Sequence, residues 1–179
     1  MFKDVEVKIK KRNRILFTRE SESLRELVKL MDNQSHRVLV LWALDCGNVA
    51  LKVFESVFPE EMRPRKCLEL SEMWAKGQVK MKEAKRGILD AHAVAKEIDD
   101  EACKALCHGI GYAGATVHVG SHAIGLPMYE LTAIVLSCKM SDYEEAVKEK
   151  IDFYIGRLLY WSENAGKLDR KWADFLKKE

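Results

Sequence analysis

Between Cys107 and His122 the chain reads CHGIGYAGATVHVGSH, where residue types suited to chemistry crowd together. Gly109, Gly111 and Gly114 spell G-x-G-x-x-G, the spacing of a loop that wraps a dinucleotide pyrophosphate. His118 and His122 are four apart, the spacing of two imidazoles on one helix face turned toward a metal. Gly, Ala and Thr at these offsets also suit a helix lying very close to its neighbours. A phosphate loop has to follow a β-strand and open a helix, so that backbone N–H groups face the phosphate. Here the preceding DDEACKALCH is periodic as a helix with Asp99 or Asp100 as its cap, and no β-α-β pattern encloses it. The nucleotide reading fails on context.

A divalent metal could take His118 and His122, with a further ligand from His92, Asp45, Cys103 or Cys107 where helices converge. The general base of H-E-x-x-H is missing, and Gly120 and Pro127 interrupt the helix that would align the pair. If the chain kinks at Gly120 and Ser121 caps a new helix, the two rings no longer share a face. Buried histidines satisfied by carboxylates and backbone are the simpler alternative. The close-packing reading uses most of the residues. Gly109, Ala113, Thr116 and Gly120 form one helical stripe, and Gly111, Gly114, Ala115 and His118 the next. Two nearly bald faces suit the centre of a bundle, where close contact must offset about 1 kcal/mol for each glycine relative to alanine. Such a helix brings His118 and His122 toward the small face around His92, and toward Asp45.

Other constellations have structural readings. Cys103 and Cys107 are four apart, unlike the C-x-x-C of zinc knuckles and redox motifs, and read as core thiols. Ser121 beside His122 is not a triad, because sequence neighbours on a helix point in different directions. The carboxylates of PEE and DYEE fall in caps and turns. Trp74, Tyr154, Tyr160, Trp161 and Trp172 sit at helical offsets among aliphatics and read as core or interface.

The elements that must position these residues are helical. Residues 1–20 form a basic arm whose weak alternation (VEVKIK, then RILF) predicts an extended or β-like segment. Residues 21–179 predict a single all-α domain, a bundle of about seven helices. The first carries Leu24, Leu27, Val28 and Met31, with Ser21 or Ser23 as cap. The second runs from about His36 to Phe58 with Val38, Leu41, Trp42, Val49, Val53 and Val57 on its buried stripe, where Asp45 must find partners. Pro64 opens a third that ends near Gly77, and a fourth aligns Ala84, Ile88, Ala91 and Ala95. Helices follow over DDEACKALCH and onward, over LPMYELTAIVLSCK, and over SDYEEAVKEKIDFYIGRLLYWSE, where Ser141 and Glu144 predict a capping box.

The net charge of +2, from 30 basic and 28 acidic residues, lacks the excess that nucleic-acid binding normally requires. The five cysteines are unevenly spaced and do not form a disulfide framework, which fits a reducing cytoplasm. MFKDVEVKIKKRNR has no apolar signal-peptide core, and VLVLWALDCGNVALKVF is interrupted by Asp45, Asn48 and Lys52, so neither export nor a membrane span is expected.

An ordered series remains: LWALDCGNVALKVFE, then RPRKCLE and MWAKG, then AKRGILDAHAVAKEI, and finally GYAGATVHVGSHAIGLPMYEL. With this series, the segment from about Val38 to Val135 resembles the immunity-five-like family, helical immunity proteins of bacterial polymorphic toxin systems. By that resemblance Asp45, Arg63, Pro64, Arg65, Trp74, His92, His118 and His122 occupy the positions of the family motif, with no catalytic role attached. The resemblance implies a non-enzymatic cytoplasmic protein, without a cofactor, that neutralises a cognate toxin by covering it. Two alternatives come from the residues themselves. One is a helical metal-dependent protein using His92, His118, His122 and Asp45; the other is a scaffold whose basic arm touches nucleic acid or membrane. Self-association into a homo-oligomer is open on the sequence.

Overall fold

The computed structural model describes residues 1–177. Among them are eight α-helices: α1 (Lys3–Lys10), α2 (Arg25–Met31), α3 (His36–Val57), α4 (Arg63–Ala75), α5 (Met81–Val94), α6 (Glu101–Ala115), α7 (Gly125–Ser137) and α8 (Glu144–Asn164). Short 3-10 turns lie at Glu22–Leu24, Gly120–Ile124, Ala165–Lys167 and Asp174–Leu176. The described residues contain no strand, so the β-like arm is corrected. VEVKIK is the body of α1. Asp4 and Glu6 stand in its first turn and Lys8 and Lys10 in its last, the distribution that the helix dipole favours, with Lys3 at the start as the exception. Val5 is buried, Phe2 meets the Tyr143 ring edge-on, and Val7 is left exposed. Alternating Val and Ile over two turns cannot distinguish a strand from a short helix held by tertiary contact. After α1 the chain is extended; Leu16 and Phe17 enter the core, and the Leu16 N–H donates to Thr132 Oγ1 of α7 at 3.0 Å.

α6 lies at the centre, packed against α3, α4, α5 and α7. Its N-terminus is fixed by Asp100, whose carboxylate accepts from the Cys103 N–H at 2.7 Å. The small residues set the approach distances. A methyl group on Gly47 would stand 2.9 Å from the Ala113 Cβ, and one on Gly114 would stand 2.6 Å from Ser71 Oγ. The same pressure corrects the expected stripe of α3. Val53 and Val57 face solvent, while Cys46, Gly47, Ala50, Leu51 and Phe54 are buried. On this face Gly47 lets α6 come close at Ala113, and Leu51 and Phe54 carry the apolar burial, so the two valines are left outside.

α4 and α5 form an antiparallel hairpin that ends its first arm at Gly77, whose φ of +72° is a left-handed position that glycine adopts without strain. α8 packs on α2, α3 and α7. The capping box expected at its start does not form. Ser141 Oγ donates to the Cys138 carbonyl at 3.1 Å, and α8 begins at Glu144 with no side-chain cap. The core beneath α8 holds Trp42, whose Nε1–H donates to the Tyr154 carbonyl at 2.9 Å. No helix among the described residues is long and apolar enough to cross a membrane.

Candidate functional site

The residues singled out from the sequence fall into three separate groups. Asp45, Arg63 and Arg65 tie helices together. Asp45 on α3 accepts from Arg157 Nε at 2.6 Å and from Trp161 Nε1 at 2.8 Å, which joins α3 to α8. Arg63, at the start of α4, donates to Glu61 at 2.9 and 2.7 Å and to Glu97 at 3.0 and 2.6 Å, which joins that start to the chain leaving α5. Its guanidinium, through these hydrogen bonds, holds both carboxyls below the usual carboxylate range. Arg65 makes a fork to Glu55 of α3 at 2.8 and 2.6 Å. Pro64, between the two arginines, is buried in the first turn of α4, where a missing N–H costs nothing.

Trp74 and His118 form the second group. Trp74 is buried at the end of α4; the His118 ring stacks on it at 6.0 Å and Phe175 covers it at 5.3 Å. His118 is exposed, because α6 ends at Ala115 and the chain turns before the 3-10 segment that carries His122. The kink near Gly120 therefore separates the H-x-x-x-H pair. His122 Nδ1 lies 3.1 Å from the Ala115 carbonyl, closing the end of α6 as its donor.

The third group is a continuous array of rings on α5, α6 and α7. His92 and His108 bring their Nδ1 atoms to 2.8 Å. Tyr112, one turn beyond His108, stands edge-on to His92 at 5.7 Å and to His122 at 5.9 Å, and stacks with Tyr129 at 5.5 Å. His108 lies 5.2 Å from Tyr129 and completes the circuit. Glycines make room for it. A methyl group on Gly111 would stand 2.6 Å from His92 Nε2, and one on Gly125 would run into the Tyr112 ring. Burial, and then the neighbouring His108, push His92 down to about 4. Burial, and then Lys96, lower His108. The pair is therefore neutral at neutral pH and shares one proton, which one Nδ1 donates and the other accepts.

The four residues considered as metal ligands lie in these three different groups, and no cluster of three or more His, Cys, Asp or Glu suited to a metal occurs among the described residues. Cys103 and Cys107 are buried thiols pushed up to about 12, chiefly by burial, as expected of core cysteines.

Two features were missed in the sequence. His108, Tyr112 and Tyr129 belong to the array, and the i, i+4 spacing of His108 and Tyr112 was the available signal. Glu130, buried within α7, accepts from Tyr154 O–H and from Lys150 Nζ at 2.6 Å. Its signal was one carboxylate inside the apolar run LPMYELTAIVLS. Burial and Glu130 push the Tyr154 phenol upward, so it stays a donor.

One family model, described as Imm-5 like putative immunity protein, matches residues 29–157, from within α2 to within α8. No curated protein and no solved structure matches the chain.

Proposed function

The chain belongs to this Imm-5 like family, and on that premise we propose that it neutralises a cognate bacterial toxin domain by binding and covering it, without catalysis. The family match across α3–α7 carries the proposal. Its polar motif residues support it. Asp45, Arg63 and Arg65 are spent on ties between helices, which suits a rigid body that binds without paying for its own ordering. A stable complex of this kind buries about 1,600 Å² in total and rests on a few aromatic, aliphatic or Arg anchors. Three exposed side chains of that type are Tyr160, held against the Arg157 guanidinium at 4.6 Å, Leu89 on α5 and Phe175 over Trp74. The near balance of charge favours steric covering over mimicry of a nucleic acid.

The test is growth rescue. The reading frame adjacent to this one in the source genome is expressed with and without this protein. Killing that is relieved by co-expression, with a complex that co-purifies, is the expected result. A harmless neighbour, or one that kills regardless, overturns the proposal. Alanine at Tyr160, Leu89 and Phe175 then locates the covering face.

A further inference from the structure

A pocket of about 570 Å³ opens beside the histidine pair, between the extended chain after α1, the end of α5, α6 and α7. His108 and Tyr129 line it, Ile15 and Leu136 supply apolar wall, and Arg14, Lys96 and Lys104 stand around it against a single carboxylate, Glu101. Lys104 already pairs with Glu101 at 2.6 Å. Arg14 and Lys96 have no ion-pair partner among the described residues, so the pocket has two uncommitted cations.

The proton shared by the two histidines decides what His108 offers to this pocket. His92 Nε2 lies against Gly111, so close that a methyl group there would be 2.6 Å away, and it has no hydrogen-bond partner. His92 is half-buried and this nitrogen is not sealed from water, so either ring can be the donor of the Nδ1–Nδ1 bond, and an anion in the pocket selects between the two. A neutral His108 that accepts at Nδ1 must carry its own proton on Nε2, on the far side of its ring from that bond. In that tautomer the pocket lining offers three donors: the Nε2–H of His108 and the cations of Arg14 and Lys96.

We propose that this pocket binds a small planar anion, a flat ring bearing a carboxylate or phosphate. The ring lies on the Tyr129 side between Ile15 and Leu136, and the anionic group accepts from His108 Nε2–H, Arg14 and Lys96. The site does not rest on the toxin-covering reading.

The experiment is an NMR titration of the full chain with three probes: adenosine 5′-monophosphate, 4-hydroxybenzoate and inorganic phosphate. Imidazole ¹⁵N shifts report the tautomer. In the complex with a saturating probe His108 should be protonated on Nε2 and His92 on Nδ1; the opposite assignment overturns the proposal. At least one ring-bearing probe should saturate the His108 and Tyr129 shifts and bind about tenfold tighter than inorganic phosphate. Adenosine monophosphate binding alone assigns a phosphate ligand, and 4-hydroxybenzoate alone a carboxylate ligand. The double variant Arg14→Ala, Lys96→Met should weaken that binding about tenfold or more, with the spectrum of the fold retained. Gly111→Ala should move the His92 ring away from its bond with His108 and weaken binding with all the cations in place. Saturation by no probe below about 10 mM, equal binding of inorganic phosphate, or an undiminished response in the double variant overturns the proposal.

Discussion

On the side of α6 that meets α3 and α4, Ala113 faces Gly47 and Gly114 faces Ser71 and Cys67, and little side chain lies between the helices. On the side that meets α5 and α7, Gly111 and Gly125 are also bare, but each receives a ring, His92 in one case and Tyr112 in the other. The first side is closed by short groups tied to backbone that cannot move away. The second is filled by side chains that rotate and, in the histidines, titrate. One helix thus has a rigid seam and an adjustable one, and the glycines alone do not tell which is which. The partner across the gap does.

The rigid seam is broken most directly by Gly114→Leu. Even its Cβ would stand 2.6 Å from Ser71 Oγ and 2.9 Å from Cys67 Sγ, so the variant should lose about 3 kcal/mol or more, or fail to fold. Thermal unfolding followed by circular dichroism reads this, and an unchanged melting temperature would show that the seam yields.

Acid tests the adjustable side. His92 titrates near 6.5 when unfolded and is pushed down to about 4 when folded, so the unfolded chain binds more protons between those values. Stability is therefore full above about pH 6.5 and falls toward pH 4, by about 2 kcal/mol. His92→Gln should reduce the pH dependence of denaturant midpoints across that window, and an undiminished dependence would place the titration on another group.

Asp45→Ala lies outside both seams. It leaves Arg157 and the Trp161 N–H without their acceptor and should cost about 1–2 kcal/mol in urea denaturation. Gly111→Ala should cost about 1 kcal/mol, less than Gly114→Leu, because the His92 ring can swing aside. A cost equal to that of Gly114→Leu would make the two sides alike. Arg63→Ala, at a partly exposed ion pair, should keep the melting temperature within about 3 °C.

Much of the fold was legible. The Asp100 cap, the Pro64 start and the Gly77 stop of helices stand where their residue types require. The central position of α6 followed from its bald stripes. α1 was not legible as a helix, since its alternation over so short a stretch fits either period and the contact of Phe2 and Val5 with the core decides the matter. Of the candidate site, the sequence picked His92 but not its partner, because His108 was grouped with the cysteines before it. Arg63 and Arg65 were picked by resemblance; Glu61 is a near neighbour of Arg63, while the acceptors that tie elements together, Glu97 and Glu55, lie far along the chain or on another helix.

The sequence by itself determined the helical class, the breaks between helices and the presence of one close-packed central helix. These follow from periodicity, caps and glycine, which act within a few residues. Only the tertiary structure decided that the end of α6 at Ala115 separates His118 from His122, that His92 meets His108, and that Glu130 is buried with Lys150 and Tyr154. Hydrogen bonds and ring contacts act over a few ångströms, and which groups come within that range depends on how helices distant in sequence pack together.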